Sequence, residues 1–234
     1  MVRIRLWDLP TRGFHWSLLA LVCASFATGW SGGNAMAWHG RAGIAIIGLL
    51  AFRLAWGFLG STHARFARFV HGPAAIAAYL RGRWAGVGHN PLGALSVLGM
   101  LALLGCQALG GLFANDDIAF NGPYFNAISK DLSDWITGWH KRGSWLVLAL
   151  VALHVVAILF YARIRRETLI APMLTGFKQV PAAQAGEAAR GGGPLAFGVA
   201  LALGLVAAWA ANGALLPPPP PVQPATQPAN TPGW

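Results

Sequence analysis

Apolar residues gather along this chain into five long runs, roughly Phe14 to Ser31, Trp38 to Leu59, Leu92 to Phe113, Trp139 to Tyr161 and Leu195 to Leu216. Each is close to the ~20 residues that a helix needs to cross the hydrocarbon core of a bilayer. The polar punctuation falls where such helices would start and stop. Asn90-Pro91 is an N-cap followed by a first-turn proline, Ser31-Gly32-Gly33-Asn34 is a tight connection, and the proline run from Pro217 ends the last helix. The pattern predicts an all-α integral membrane protein. A four-helix bundle is expected over 1–178, an Ala- and Gly-rich linker over 179–194, one additional transmembrane helix over 195–216 and a disordered proline-rich tail over 217–234.

Composition supports a membrane protein. The 234 residues are 56% hydrophobic and only 10% charged, where a soluble domain carries about 25% charge. Eleven tryptophans suit a chain with several helix ends at headgroup level. The net charge of +10 raises the question of nucleic acid, but its distribution answers it. With the N-terminus inside, thirteen of the seventeen Lys and Arg fall in inner segments, beside three acids; the outer segments hold four of each sign. That asymmetry is the positive-inside signature, so the basic balance reports topology and excludes a nucleic-acid partner. The N-terminus is expected in the cytoplasm and the C-terminus on the opposite side. Arg3, Arg5 and Arg12 precede the first run without a small-residue cleavage site after it, so that run is expected to remain as a helix.

The chemistry lies in four histidines, His15, His39, His140 and His154. Ionisable side chains at membrane depth are costly and by default mark function. His140 and His154 are fourteen residues apart on one run, about 40° short of four full turns, so both leave the same face with a rise of about 21 Å between them. His39 opens the second run at the outer surface, level with His140. His15 lies roughly 22–26 Å below the outer end of the first run, level with His154. Two pairs follow: His39 with His140 outside, and His15 with His154 inside. This is the ligand set for two bis-histidine haems. A single zinc site is excluded, because imidazoles about 21 Å apart cannot close one tetrahedron. The two cysteines, Cys23 and Cys106, lie in apolar runs, and no Cys-x-x-Cys-His is present for covalent attachment. The haems are therefore expected to be non-covalent haem b.

Haem propionates seek cations near the membrane surface. Arg41, Lys141 and Arg142 follow the outer histidines, while Arg12 and Arg53 border the inner pair. Gly43 and Gly143, one turn from His39 and His140, would leave room for a flat macrocycle, a role that close helix packing could equally explain. His63, His71 and His89 fall in the inner loop and are expected at the surface. Gln107 and Asn115 are weak candidates for a quinone pocket. Asp116, Asp117, Asp131 and Asp134 crowd one outer loop, a patch that could steer a basic c-type cytochrome or simply cap helices.

The segment "VRIRLWDLPTRGFHW" at Val2 to Trp16 resembles the opening of the bacterial cytochrome b561 family, which includes the b-type cytochrome subunits of nickel-iron hydrogenases. "WHGRAGIAIIGLLAFRLAWGF", "HARFARFVHGP", "GHNPLG", "GWHKRGSWLVLALVALHVVAILF" and "RRETLIAPMLTGFK" follow in the same order, so the resemblance covers Val2 to about Lys178. It implies a four-helix di-haem core in the bacterial inner membrane, with axial ligands at His15, His39, His140 and His154. The fifth helix and the tail depart from the pattern. The resemblance implies transmembrane electron transfer in a respiratory chain between a quinone pool and a redox partner, such as a c-type cytochrome or a hydrogenase or dehydrogenase subunit. The alternatives are a self-contained quinone oxidoreductase or the b-type subunit of a hydrogenase complex.

Overall fold

The computed structural model describes residues 1–217; most of the expected disordered tail lies outside them. A short strand β1 (Val2–Arg5) leads into helix α1 (Leu9–Ser31), and a 3₁₀ turn at Gly33–Ala35 reverses the chain into α2 (Met36–Leu59). The inner loop holds two short helices, α3 (Phe66–Phe69) and α4 (Pro73–Leu80), before α5 (Pro91–Gly111). After an outer loop, α6 (Lys130–Arg163) returns, followed by α7 (Ile170–Thr175), strand β2 (Phe177–Val180) and α8 (Pro194–Trp209). Among the described residues, four helices are long and apolar enough to cross a membrane, those built on α2, α5, α6 and α8. The expected first span is also helical over the 23 residues of α1, but His15, Trp16, Ser17 and Thr28 dilute its apolar character.

Local chemistry sets the helix starts. Asp8 caps α1, its Oδ1 accepting from the Thr11 amide at 2.6 Å, with Pro10 in the first turn. Asn90 caps α5 the same way, Oδ1 accepting from Gly93 at 2.8 Å. Helix α6 starts nine residues before the apolar run that predicts it. Ser129 supplies its cap, and the first two turns are amphipathic rather than apolar. At 34 residues it is about 51 Å long, more than the ~30 Å of a hydrocarbon core.

Small residues set the packing. Helix α8 lies against α2, where a Cβ on Gly204 would stand 2.8 Å from the Gly48 carbonyl oxygen. Apolar side chains gain little by leaving lipid for one another, so close backbone approach carries this contact. Ala200 is fully buried there, beside Phe52, Trp56 and Phe14. The fifth helix thus belongs to the packed body, joined along α2. At its outer end the Tyr124 hydroxyl donates to the Ala210 carbonyl at 2.6 Å.

The stretch expected as a linker carries structure. β2 pairs antiparallel with β1, Val2 opposite Val180 and Arg5 opposite Phe177. Gly176 sits at φ +87 with its Cβ position 2.9 Å from the Trp7 carbonyl oxygen, which leaves no room for a side chain. Residues 182–187 form a 3₁₀ segment, and Gly191 bridges to Ser61. These pieces tie the N-terminus, the end of α2 and the start of α8 into one inner platform.

Candidate haem site

Three helices, α1, α2 and α6, bring the four histidines into two facing pairs. The His39 and His140 rings have centroids 5.9 Å apart, and those of His15 and His154 lie 6.5 Å apart. A metal sits about 2 Å from an imidazole nitrogen, and the ring centroid lies roughly 1 Å further, so two axial rings on one metal have centroids about 6 Å apart. Both pairs fit that span. On α6, His140, Val147 and His154 recur every seven residues. Val147 is buried between the two histidines, while Leu146, Leu153 and Val156 face outward to lipid.

The outer pair is oriented by backbone. The Nδ1–H of His39 donates to the Ser25 carbonyl at 2.9 Å, and that of His140 to the Gln107 carbonyl at 3.0 Å. A protonated Nδ1 leaves Nε2 with its lone pair, the nitrogen free to bind a metal. Two glycines that the sequence did not flag make room for these rings. A Cβ on Gly29 would stand 3.0 Å from His39 Nδ1, and one on Gly111 3.2 Å from His140 Cε1. The space between α1, α2, α5 and α6 is a largely apolar cavity of about 220 Å³, lined by both histidines, Gly43, Phe26, Ile44 and Lys141. Gly43 faces open space there, whereas a Cβ on Gly143 would collide with Gln107. Of the two expected cradle glycines, Gly43 borders the cavity and Gly143 serves helix packing.

The expected cations divide. Lys141 lines the outer cavity. Arg41 lies over the Trp38 ring at 4.7 Å and Arg142 over Trp139 at 5.6 Å, both exposed. Arg12 is drawn off to the end of α7, where it donates to the Met173 and Leu174 carbonyls. Arg53 is 3% exposed, its guanidinium over Phe66 and Phe69, with a buried Nη1 that has no hydrogen-bond partner. Asp8 is an acidic neighbour of Arg53, but its two oxygens are taken by the Thr11 amide and by Trp56 Nε1 at 3.1 Å.

Two loop histidines expected at the surface pack against other side chains, His63 buried and His89 half-buried. His63 is buried, and its Nε2–H donates to the Glu187 carbonyl at 2.6 Å. His89 lies against Trp7 and Phe69, ring centroids 4.7 and 4.8 Å away. Burial pushes its pKa down to about 3, with the positive potential of Arg53, His63 and His154 acting the same way. Its Nδ1 is buried without a partner. The readable signal was the aromatic interleaving of "HARFARFVH", which a solvated loop has no use for. His71 lies at the periphery against Trp84, centroids 4.8 Å apart.

The polar candidates for other roles are spent locally. The Gln107 side chain donates to the His140 carbonyl, and that of Asn115 donates to Ser133 Oγ and to Asp134. Asp116 Oδ1 accepts from the amides of Ile118, Ala119 and Phe120, which hold its carboxyl below the usual range. Asp117 and Asp134 both pair with Lys130. The acidic loop is therefore largely a self-satisfied turn.

Among the described residues no cluster of three or more His, Cys, Asp or Glu could hold a bare metal ion. Facing imidazole pairs within apolar helices are instead the donor set of a b-type cytochrome, whose macrocycle completes the coordination. Residues 6–176, well over half the chain, match the family model of prokaryotic cytochrome b561, and the chain belongs to that family. It is a membrane b-type cytochrome, a haem-binding electron-transfer protein. Neither a curated protein nor a solved structure gives a match. The matched stretch ends at Gly176, so β2 and α8 lie beyond it.

Proposed function

We propose that the protein holds two non-covalent haems b, the outer between His39 and His140 and the inner between His15 and His154, and carries electrons across the bacterial inner membrane. The observation that carries this reading is the ring separation of 5.9 and 6.5 Å in two pairs stacked along α6. Each bound haem supplies a one-electron iron centre. Each facing pair of imidazoles would hold one haem, which suits electron transfer rather than catalysis on a bound ligand. The Ser25 and Gln107 carbonyls fix the tautomers of the outer pair.

Arg53 and Lys141 serve as propionate partners. A buried guanidinium whose Nη1 lacks an acceptor calls for an anion, because an unpaired buried charge costs several kcal/mol. His89, with its own unpartnered nitrogen in the same pocket, shares that anion. The positive-inside distribution supports a cytoplasmic N-terminus and a periplasmic end of α8. A quinone on one side, and on the other a c-type cytochrome or a hydrogenase or dehydrogenase subunit, are the reactants in keeping with the family.

Haem stoichiometry tests the proposal. A pyridine haemochrome assay on fully loaded protein should return two haems b per chain, all extractable by acidic solvent. One haem per chain, or haem that resists extraction, contradicts it.

A further inference from the structure

A second cavity lies at the inner end of α2, of about 330 Å³ and strongly polar. Arg65, Arg68 and Arg190 converge on it, with Thr62 and Glu187. Arg65 stands at the N-cap of α3 and Arg68 lies within it, whereas Glu187 and Arg190 come from the segment beyond the family match. The two sides are pinned together. The Thr62 amide donates to the Arg190 carbonyl at 2.9 Å, and the Arg190 amide donates to Thr62 Oγ1 at 3.1 Å. These bonds hold the two segments side by side.

Three arginines and one carboxylate line the cavity, and that carboxylate is weakly engaged. Glu187 reaches only Arg68, at 4.0 Å, with both side chains about half exposed. The buried Nε of Arg65 has no hydrogen-bond partner. Positive-inside topology asks for cations on this face but not for three of them around one hollow. Like charges brought together repel unless an anion lies between them, and planar guanidiniums match phosphate oxygens best. The surroundings are apolar. Helix α2 ends at Leu59, and Phe58, Leu59 and Val70 are 72%, 44% and 43% exposed close by in the chain. Cations beside exposed apolar side chains at an inner membrane boundary are complementary to a head group and the start of its acyl chains.

We propose that this cavity is a phosphate site occupied by the head group of an anionic phospholipid of the inner leaflet. The appended segment completes the site by contributing Arg190. It is separate from the histidine pairs and does not depend on the haem assignment.

The test is thermal melting of the haem-loaded full chain in phosphatidylcholine nanodiscs, with and without phosphatidylglycerol. Phosphatidylglycerol should raise the Tm of the unaltered protein. The rise should disappear in Arg65→Gln/Arg190→Gln and grow in Glu187→Gln, which removes the competing carboxylate. Arg81→Gln/Arg83→Gln, which takes two exposed charges from the same inner loop, should keep the full rise. The haem spectrum reports folding in every variant, and Glu187→Gln still decides the matter if the double variant fails to fold. Equal rises in the cavity variants and the unaltered protein overturn the site. The same rise from inorganic phosphate in pure phosphatidylcholine overturns the lipid assignment in favour of free phosphate.

Discussion

Replacing His39 or His140 with alanine should remove one haem per chain, and replacing His15 or His154 should remove the other. Removal of one axial ligand would leave the haem held by the remaining imidazole and by packing, with the space of the lost ring open beside it. For non-covalent haem that is expected to mean loss on purification. The two members of each pair should therefore give the same spectrum and the same missing component in a potentiometric titration, while members of different pairs should not. Gly29→Val should mimic His39→Ala, because its Cβ position already stands 3.0 Å from His39 Nδ1 and a branched side chain would push the ring off the Ser25 carbonyl. If His39→Ala and His154→Ala removed the same component, the pairing would be wrong.

The second large effect should come from Asp8, which is not itself a ligand and lies seven residues before His15. Its carboxylate caps α1 and accepts from Trp56 Nε1, and Asp8 is 5% and Trp56 0% exposed. Asp8→Ala removes a cap worth about 1 kcal/mol and leaves a buried indole N–H unsatisfied at about 1–3 kcal/mol. A loss of about 2–4 kcal/mol is expected, and more if Arg53 is left without its acidic neighbour. Asp8→Asn keeps the one acceptor that the Thr11 cap needs but turns an NH2 toward the Trp56 N–H, so it should recover only the capping contribution of about 1 kcal/mol. Thermal melting of the three proteins in one detergent separates these contributions. An Asp8→Ala protein as stable as the original would show that the α1–α2 contact is held by packing alone.

The histidine pairing could be read from the sequence because helical rise and period are fixed. Fourteen residues on α6 determine both the shared face and the depth, and His39 and His15 could then be matched by level. The cap at Asn90-Pro91 was equally legible, since its signal is local. What was hidden depends on distant partners. β1 and β2 are four residues each and more than 170 positions apart, too short to announce themselves in an apolar profile. The first turns of α6 were missed because hydropathy reports the bilayer, and the helix continues beyond it. Asp8 with Trp56, and Arg53 with its aromatic shell, join residues that only packing brings together. The fifth helix carried a signal that could have been used: Ala200, Gly204 and Ala208 repeat at four-residue steps, the spacing of a close helix contact. The rings of His39 and His140 point to Gly29 and Gly111 on neighbouring helices, so one-turn neighbours on the same helix were the wrong place to look for room.

The central claim is that the two histidine pairs together complete one conducting path across the membrane. Proteoliposomes with entrapped ferricyanide and a membrane-impermeant reductant outside test it directly. Vesicles carrying the haem-loaded protein should reduce the entrapped ferricyanide, and vesicles carrying either His39→Ala or His154→Ala should not, although each variant keeps one haem. Undiminished reduction through a variant that has lost one pair would contradict the account.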